Sequence, residues 1–318
     1  MVRFRRKLLV WFDRHQRKLP WRGERVPYRI LVSEIMLQQT RVAVVEERYR
    51  KFIARFPSVE KLARASEQSV LAAWSGLGYY RRARNLRRAA QKIAAAGSFP
   101  TRAAELRELP GIGRYTANAV ASIAFGEPVA VVDGNVKRVL ERVFAADFAT
   151  DKKPAEELYW QRAADLLYEP NPGDFNQAMM ELGATICLPA QPRCEECPVA
   201  KMCVARGPVI RKTRQERRRA VQRYALVRRA GRVLLHRRPE DSSLMPGMWE
   251  LPLIAPAAQT KTAPLLKLRH SITTTDYTIF VHAANAGNAN EGKWLTFASA
   301  KRLPLTGLAR KILESLHA

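Results

Sequence analysis

"ELPGIGRYTANAVASIAFG", residues 108–126, joins a short helical segment to a longer one through Leu109, Pro110, Gly111, Ile112 and Gly113. Two glycines one residue apart permit a tight turn, and the apolar spacing after Gly113 continues as a helix until Gly126. The first N–H groups of that helix have no partner within it, and the positive end of its dipole points the same way. Together they make an anion site, so Gly111 and Gly113 are expected to grip a phosphate. A lone Gly-x-Gly fits an ordinary helix-helix turn as well, but the context L-P-G-x-G-x-Y-T-A is far more specific.

Outward from this stretch, helical periodicity covers residues 1 to about 205, as in "LLVWFDRHQRKL", "VAVVEERYRKFIARF", "SVLAAWSGL", "NLRRAAQKIAAAG" and "FNQAMMELGATIC". Residues 206–222, "RGPVIRKTRQERRRAVQ", have the Gly-Pro start and Arg density of a solvated linker, one that could also touch phosphates. From residue 223 the period changes. "RYALVRRAGRVLLHRR" alternates about Ala230-Gly231 like a hairpin, "SITTTDYTIFVHAA" reads as strand, and "LTGLARKILESL" closes as an amphipathic helix. The expectation is a mainly α chain: a helical domain over 1–205, a basic linker over 206–222 and a small α+β domain over 223–318.

Fifty-five Lys and Arg stand against twenty-nine Asp and Glu in 318 residues, 47% of them hydrophobic. That content is enough for packed cores, and the net charge of +26 implies a polyanionic partner. The basic N-terminus carries only Leu8–Phe12 as an apolar run, cut by Asp13, which is too short for a signal-peptide core. No segment reaches the roughly eighteen apolar residues of a membrane helix. The chain therefore reads as a soluble cytoplasmic protein with no membrane partner.

All four cysteines fall in one cluster, Cys187, Cys194, Cys197 and Cys203, spaced C-x6-C-x2-C-x5-C. Two disulfides would staple only a tiny loop, so metal ligation by four thiolates is the better reading. Zinc and an iron–sulfur cluster both accept four cysteine sulfurs, and the spacing does not choose between them.

Two acids stand out. Glu34 in "YRILVSEIMLQQTRV" is flanked by Ile30, Leu31, Val32, Ile35, Met36 and Leu37, so burial should raise its pKa and keep it a usable acid near neutrality. Asp133 in "VVDGNVKRVLERVF" lies twenty residues beyond Gly113 at a helix start, where Asp is most often an N-cap.

A helical hairpin, an Asp twenty residues on and this cysteine spacing resemble the endonuclease III superfamily of base-excision DNA glycosylases over residues 1–205. Within it, "LPWR" (19–22), "SEIMLQQT" (33–40), "GLGYYRRARNL" (76–86), "VVDGNVKR" (131–138) and "FNQAMMELGA" (175–184) resemble the MutY-type adenine DNA glycosylase family. The resemblance implies two helical lobes around a DNA-binding cleft, a helix-hairpin-helix element and a [4Fe-4S] cluster on the four cysteines. It implies that Glu34 protonates N7 of adenine and then activates water, while an ionised Asp133 stabilises the sugar cation. Tyr115 would support Asp133 by hydrogen bonding and Asn135 would orient it, with Lys137 beside them on the DNA. Gln39 and Tyr79 would wedge into the duplex, and Trp21, Arg22, Leu37 and Gln177 would line the adenine pocket. Endonuclease III carries its Schiff-base lysine where this chain has Tyr115, which implies a monofunctional enzyme, because a phenol cannot form an imine.

Residues 223–316 resemble, more weakly, the Nudix-like domain with which this family recognises 8-oxoguanine, through "RVLLHRRP", "GMWELP" and "LRHSITTTDYTI". No Asp or Glu lies between Leu251 and Thr275, so magnesium-dependent pyrophosphatase chemistry is excluded. Where the family has Phe-Ser-His, this chain reads Ser271, Ile272, Thr273 and Thr274. Thr273 could hydrogen-bond the partner base and His270 could substitute in part, which predicts weaker discrimination of 8-oxoguanine from guanine. The expected activity is hydrolysis of adenine from double-stranded DNA where it is mispaired with 8-oxoguanine or guanine, by a nucleoid-associated monomer. The alternatives are a thymine or uracil mismatch glycosylase of the same fold and a non-catalytic DNA-binding protein. N7 protonation suits a purine leaving group and counts against the first, while retention of both acids counts against the second.

Overall fold

From the N-terminus to Thr185 the helical spacing becomes α1 (Val2–His15), α2 (Pro27–Leu37), α3 (Val42–Arg55), α4 (Val59–Arg64), α5 (Glu67–Ala73), α6 (Arg81–Ala96), α7 (Ala103–Arg107), α8 (Arg114–Phe125), α9 (Gly134–Val143), α10 (Ala145–Phe148), α11 (Glu156–Leu166) and α12 (Pro172–Thr185). The computed structural model describes residues 1–148, 155–207, 218–242, 244–255, 263–272, 274–285 and 292–316. Linker residues 208–217 and Thr273 lie outside the described residues. The chain folds as two compact units, Met1–Arg64 with Asn85–Thr213, and Ala65–Arg84 with Arg214–Ala318.

In the first unit, Phe4, Leu8 and Phe12 of α1 pack in one core with Val136, Val139 and Leu140 of α9, Trp160 and Leu166 of α11, and Phe175 and Leu182 of α12. α2 begins at Pro27, whose fixed φ suits a first helical turn, and is buried on nearly every side. Such a helix is an interior element, and it packs against α3 and α8. α8 ends at Gly126 in a left-handed cap. The turn that opens it depends on Gly111: its φ is +76°, and an added Cβ would lie 2.5 Å from Asn85 Nδ2 and 2.6 Å from Asn85 Cβ. At Gly113, the N-cap of α8, an added Cβ would meet nothing within 4 Å, and no side chain caps the helix there.

The second unit carries β1 (Arg218–Arg229), β2 (Arg232–Arg237), β3 (Trp249–Glu250), β4 (Leu266–Ile272), β5 (Thr275–Ala284), β6 (Lys293–Thr296), α13 (Phe297–Ala300) and α14 (Gly307–Ser315). The strand order is β3-β2-β1-β5-β4, with β6 beside β2. β1 and β2 are antiparallel through a two-residue turn whose residues Ala230 and Gly231 have φ of 46° and 70°, the geometry that matches strand twist. Leu226, Val233, Leu235, Ile279 and Val281 face a core closed by Leu308, Ile312 and Leu313 of α14, while Ala225, Val227 and Leu234 face the other side. β1 begins at Arg218, within the segment expected to be linker, and pairs in parallel with β5 from Arg218↔Thr275. Its first residues are charged and exposed, because backbone pairing requires no apolar side chain.

Residues 65–84, expected inside the helical domain, group with this sheet. The Tyr80 hydroxyl donates to the Leu305 carbonyl at 3.2 Å, Arg310 Nε to Ser75 Oγ at 2.8 Å, and Arg84 Nη2 to the Pro246 carbonyl at 2.7 Å. Among the described residues no helix is long and apolar enough to cross a membrane.

Candidate active site

Because α2 is enclosed, the Glu34 carboxyl is enclosed with it, at 5% exposure. Burial raises its pKa to about 7, helped by the nearby Asp133 carboxylate and opposed by the Tyr115 hydrogen bond and the Arg22 cation. Near neutrality the group is therefore divided between acid and carboxylate. Tyr115, in the first turn of α8, donates its hydroxyl proton to Glu34 Oε2 at 2.8 Å and stands 3.3 Å from Met180 Sδ. Burial and the two carboxylates push the phenol pKa well above its ordinary value, so it stays a donor.

Asp133 is the N-cap of α9. Its Oδ1 accepts from the backbone N–H of Asn135 at 2.9 Å and of Val136 at 2.7 Å, and its Oδ2 accepts from Asn135 Nδ2 at 2.9 Å. The capping role and an oriented carboxylate are thus one arrangement. Gly183 of α12 lets the start of α9 come close, since an added Cβ would lie 2.7 Å from Asn135 Cβ and 2.8 Å from its carbonyl oxygen. Tyr115 was expected to bond Asp133, and this is corrected. Three N–H donors already occupy Asp133, whereas the enclosed Glu34 takes the phenol.

Glu34, Tyr115, Asp133 and Asn135 line one cleft of about 540 Å³ together with Trp21, Arg22, Leu37, Gln39 and Gln177. Trp21 is 7% exposed and meets Tyr49 edge-on at 5.4 Å. Arg22 donates to Gln177 Oε1 at 2.6 Å and to Glu181 Oε2 at 2.7 Å, and lies 5.1 Å from the Phe12 ring. Glu181, 1% exposed, also accepts Arg17 Nε at 2.7 Å. Arg17 and Glu181 are cleft residues that sequence reasoning missed, although an acid inside the apolar stretch "FNQAMMELGA" is the same signal that singled out Glu34.

Other expected DNA contacts lie outside this cleft. Lys137 pairs its ammonium with Glu156 Oε2 at 2.5 Å and lies 5.1 Å from the Tyr159 ring, because α11 starts with a carboxylate within its reach. Gly111 and Gly113 form the turn before α8, and Tyr79 belongs to the second unit, where it is 52% exposed. Gln39 and Tyr79 both adopt positive φ, 54° and 46°.

Cys187, Cys194, Cys197 and Cys203 are all free and line one small cavity with Val139, Val143, Leu182, Ile186 and Val199. Arg142 Nη1 donates to Cys187 Sγ at 3.1 Å. Burial, reinforced by the neighbouring cysteines, raises the Cys197 thiol to about 11. A sulfur-only donor set in an apolar recess suits a soft, thiolate-bound metal centre. Among the described residues, no three or more His, Cys, Asp or Glu are drawn in around a single metal ion; the four cysteines instead share the lining of one recess, the arrangement of a multi-iron cluster rather than of one ion.

Residues 32–164 match the HhH-GPD superfamily of base excision DNA repair proteins, and residues 223–315 match the Nudix domain. The adenine DNA glycosylase of Homo sapiens is 46% identical over 217 residues, covering 65% of this chain and 40% of that protein. The chain thus spans less than half the length of this curated relative. Of the solved structures, a thermostable thymine-DNA glycosylase is similar with a TM-score of 0.58 at 31% identity, over 63% of this chain and 93% of its own. Endonuclease III in a non-covalent complex with DNA has the same fold, with a TM-score of 0.54 at 23% identity, over 64% of this chain and 93% of that one.

Proposed function

The chain belongs to the HhH-GPD superfamily of base excision DNA repair proteins, and from that membership we propose that it is a monofunctional DNA glycosylase acting on adenine mispaired with 8-oxoguanine or guanine in double-stranded DNA. The observation that carries the reading is the pair of unlike carboxyls on one cleft: Glu34 buried and poised near pH 7, Asp133 held by three N–H donors. Adenine leaves poorly as an anion and well once N7 is protonated. Glu34 delivers that proton from its acid form, Asp133 faces the oxocarbenium-like sugar, and the Glu34 carboxylate then takes a proton from the attacking water. Arg22 and Gln177 line the recess for the base taken from the stack, and Asn135 fixes Asp133. Tyr115 offers no amine for an imine, so strand cleavage should not accompany excision.

Cys187, Cys194, Cys197 and Cys203 would hold a [4Fe-4S] cluster, which supplies a covalent clip for the loop between them. Purified protein is expected to be brown with the broad visible absorbance of sulfur-ligated iron. Colourless protein with stoichiometric zinc would contradict this assignment.

Around Arg269, His270, Ser271, Asp276 and Tyr277 the second unit forms a pocket of about 480 Å³. Ser271 Oγ donates to Asp276 Oδ1 at 2.6 Å, and burial with Lys311 nearby lowers the His270 pKa, favouring a neutral ring. With Ser271 to Thr274 in place of Phe-Ser-His, discrimination of 8-oxoguanine from guanine is weakened. A single-turnover assay over a panel of mismatches tests the whole reading. Free adenine released at similar rates opposite 8-oxoguanine and guanine supports it, a large preference for 8-oxoguanine overturns the weakened discrimination, and release of thymine or uracil instead overturns the adenine assignment.

A further inference from the structure

The loop between α5 and α6 is held in a shape its sequence does not favour. Gly76, Gly78 and Tyr79 have φ of 93°, 69° and 46°; glycine adopts these values freely, while a tyrosine does so only against steric resistance. The strained residue is also more exposed, at 52%, than any other Phe, Tyr or Trp among the described residues. Such a residue persists only where its surroundings impose it, and here they are specific. Arg82 Nη2 donates to the Leu77 carbonyl at 3.0 Å and to the Gly78 carbonyl at 3.2 Å, and Trp74 Nε1 donates to the same Gly78 carbonyl at 3.2 Å. The Arg82 guanidinium lies 5.5 Å from the ring centroids of both the buried Trp74 and the exposed Tyr79. The loop's ends are fixed as well, by Arg310 on Ser75 and by Tyr80 on Leu305.

We propose that Arg82 is a positioning residue that holds Tyr79 as a preformed wedge, ready to stack in the gap left when a nucleotide leaves the duplex. The inference rests on the glycosylase reading. Extruding a base breaks stacking on both sides, and an aromatic ring fixed beforehand refills the gap without losing freedom on binding. Arginine suits the task because its planar guanidinium lies against two rings while donating to the loop carbonyls, whereas a lysine ammonium is a compact donor with no plane to stack.

The test compares unaltered protein, Arg82→Lys, Tyr79→Leu and the double variant in single-turnover adenine excision on two duplexes, one with an adenine–guanine mismatch and one with adenine opposite an abasic position. In the second duplex the stack is already broken. Arg82→Lys is expected to lose roughly tenfold on the mismatch, the scale of one lost stacking contact, and to stay close to unaltered protein on the abasic duplex. The double variant should be no slower than Tyr79→Leu, because both changes remove the same contact. Equal losses on both duplexes, losses that multiply in the double variant, or no loss in Arg82→Lys would each overturn the proposal. Unaltered protein that releases adenine from neither duplex would instead overturn the glycosylase reading beneath it.

Discussion

Glu34 combines a functional advantage with a cost in stability, and both follow from its enclosure. A carboxyl with a folded-state pKa of about 7 binds more protons folded than unfolded between its ordinary value and pH 7, so its contribution to stability falls as pH rises through that window. At pH 8 the penalty is about 3 kcal/mol. Glu34→Gln is therefore expected to raise the unfolding free energy at pH 8 by about 1–3 kcal/mol and to change it far less at pH 5. Equal stability of the two proteins at pH 8 in denaturant titrations would contradict the burial argument. Glu34 could be read from its apolar neighbours, since periodicity alone encloses the helix. The partner of Tyr115 could not, because it depends on how α8 packs against α2, and the pairing of Lys137 depends on α11, nineteen residues further on. Glu181 shows the same sign as Glu34, yet its role emerges only once Arg17 and Arg22 are seen to converge on it.

At the scale of elements, the turn before α8 was legible as a tight connection, but the two glycines do different work. Gly111 needs both its positive φ and its missing side chain, with Asn85 against it, while Gly113 has an ordinary φ of −91° and open space. Gly111→Ala should cost about 1–3 kcal/mol of stability and Gly113→Ala less than about 1 kcal/mol. Thermal melts of both variants check this, and the reverse ranking would show the turn to be misread. Helix positions and the Ala230-Gly231 hairpin could be read because each is a local pattern. The parallel pairing of β1 with β5 could not, since alternation marks a strand without naming its neighbour. The Arg-dense start of β1 hid its strand character because hydrogen bonding to β5 leaves the charges in water.

For the whole molecule, a net charge of +26 makes the proposed DNA binding an electrostatic matter first. If about six phosphates are neutralised, affinity for duplex should fall about a thousandfold between about 50 and 200 mM salt. Affinity insensitive to salt would remove the polyanion argument. Composition located the change from helical to strand-rich sequence but could not show residues 65–84 joining the C-terminal unit, because a compact unit is a property of contacts and not of composition. The central claim is that a protonated Glu34 releases adenine, and the pH dependence of single-turnover adenine excision from a mismatched duplex tests it most directly. The rate should rise as pH falls through about 7, level off below it, and vanish in Glu34→Gln at every pH. Adenine released by Glu34→Gln at the unaltered rate, or a rate that climbs with pH through 7, would contradict it.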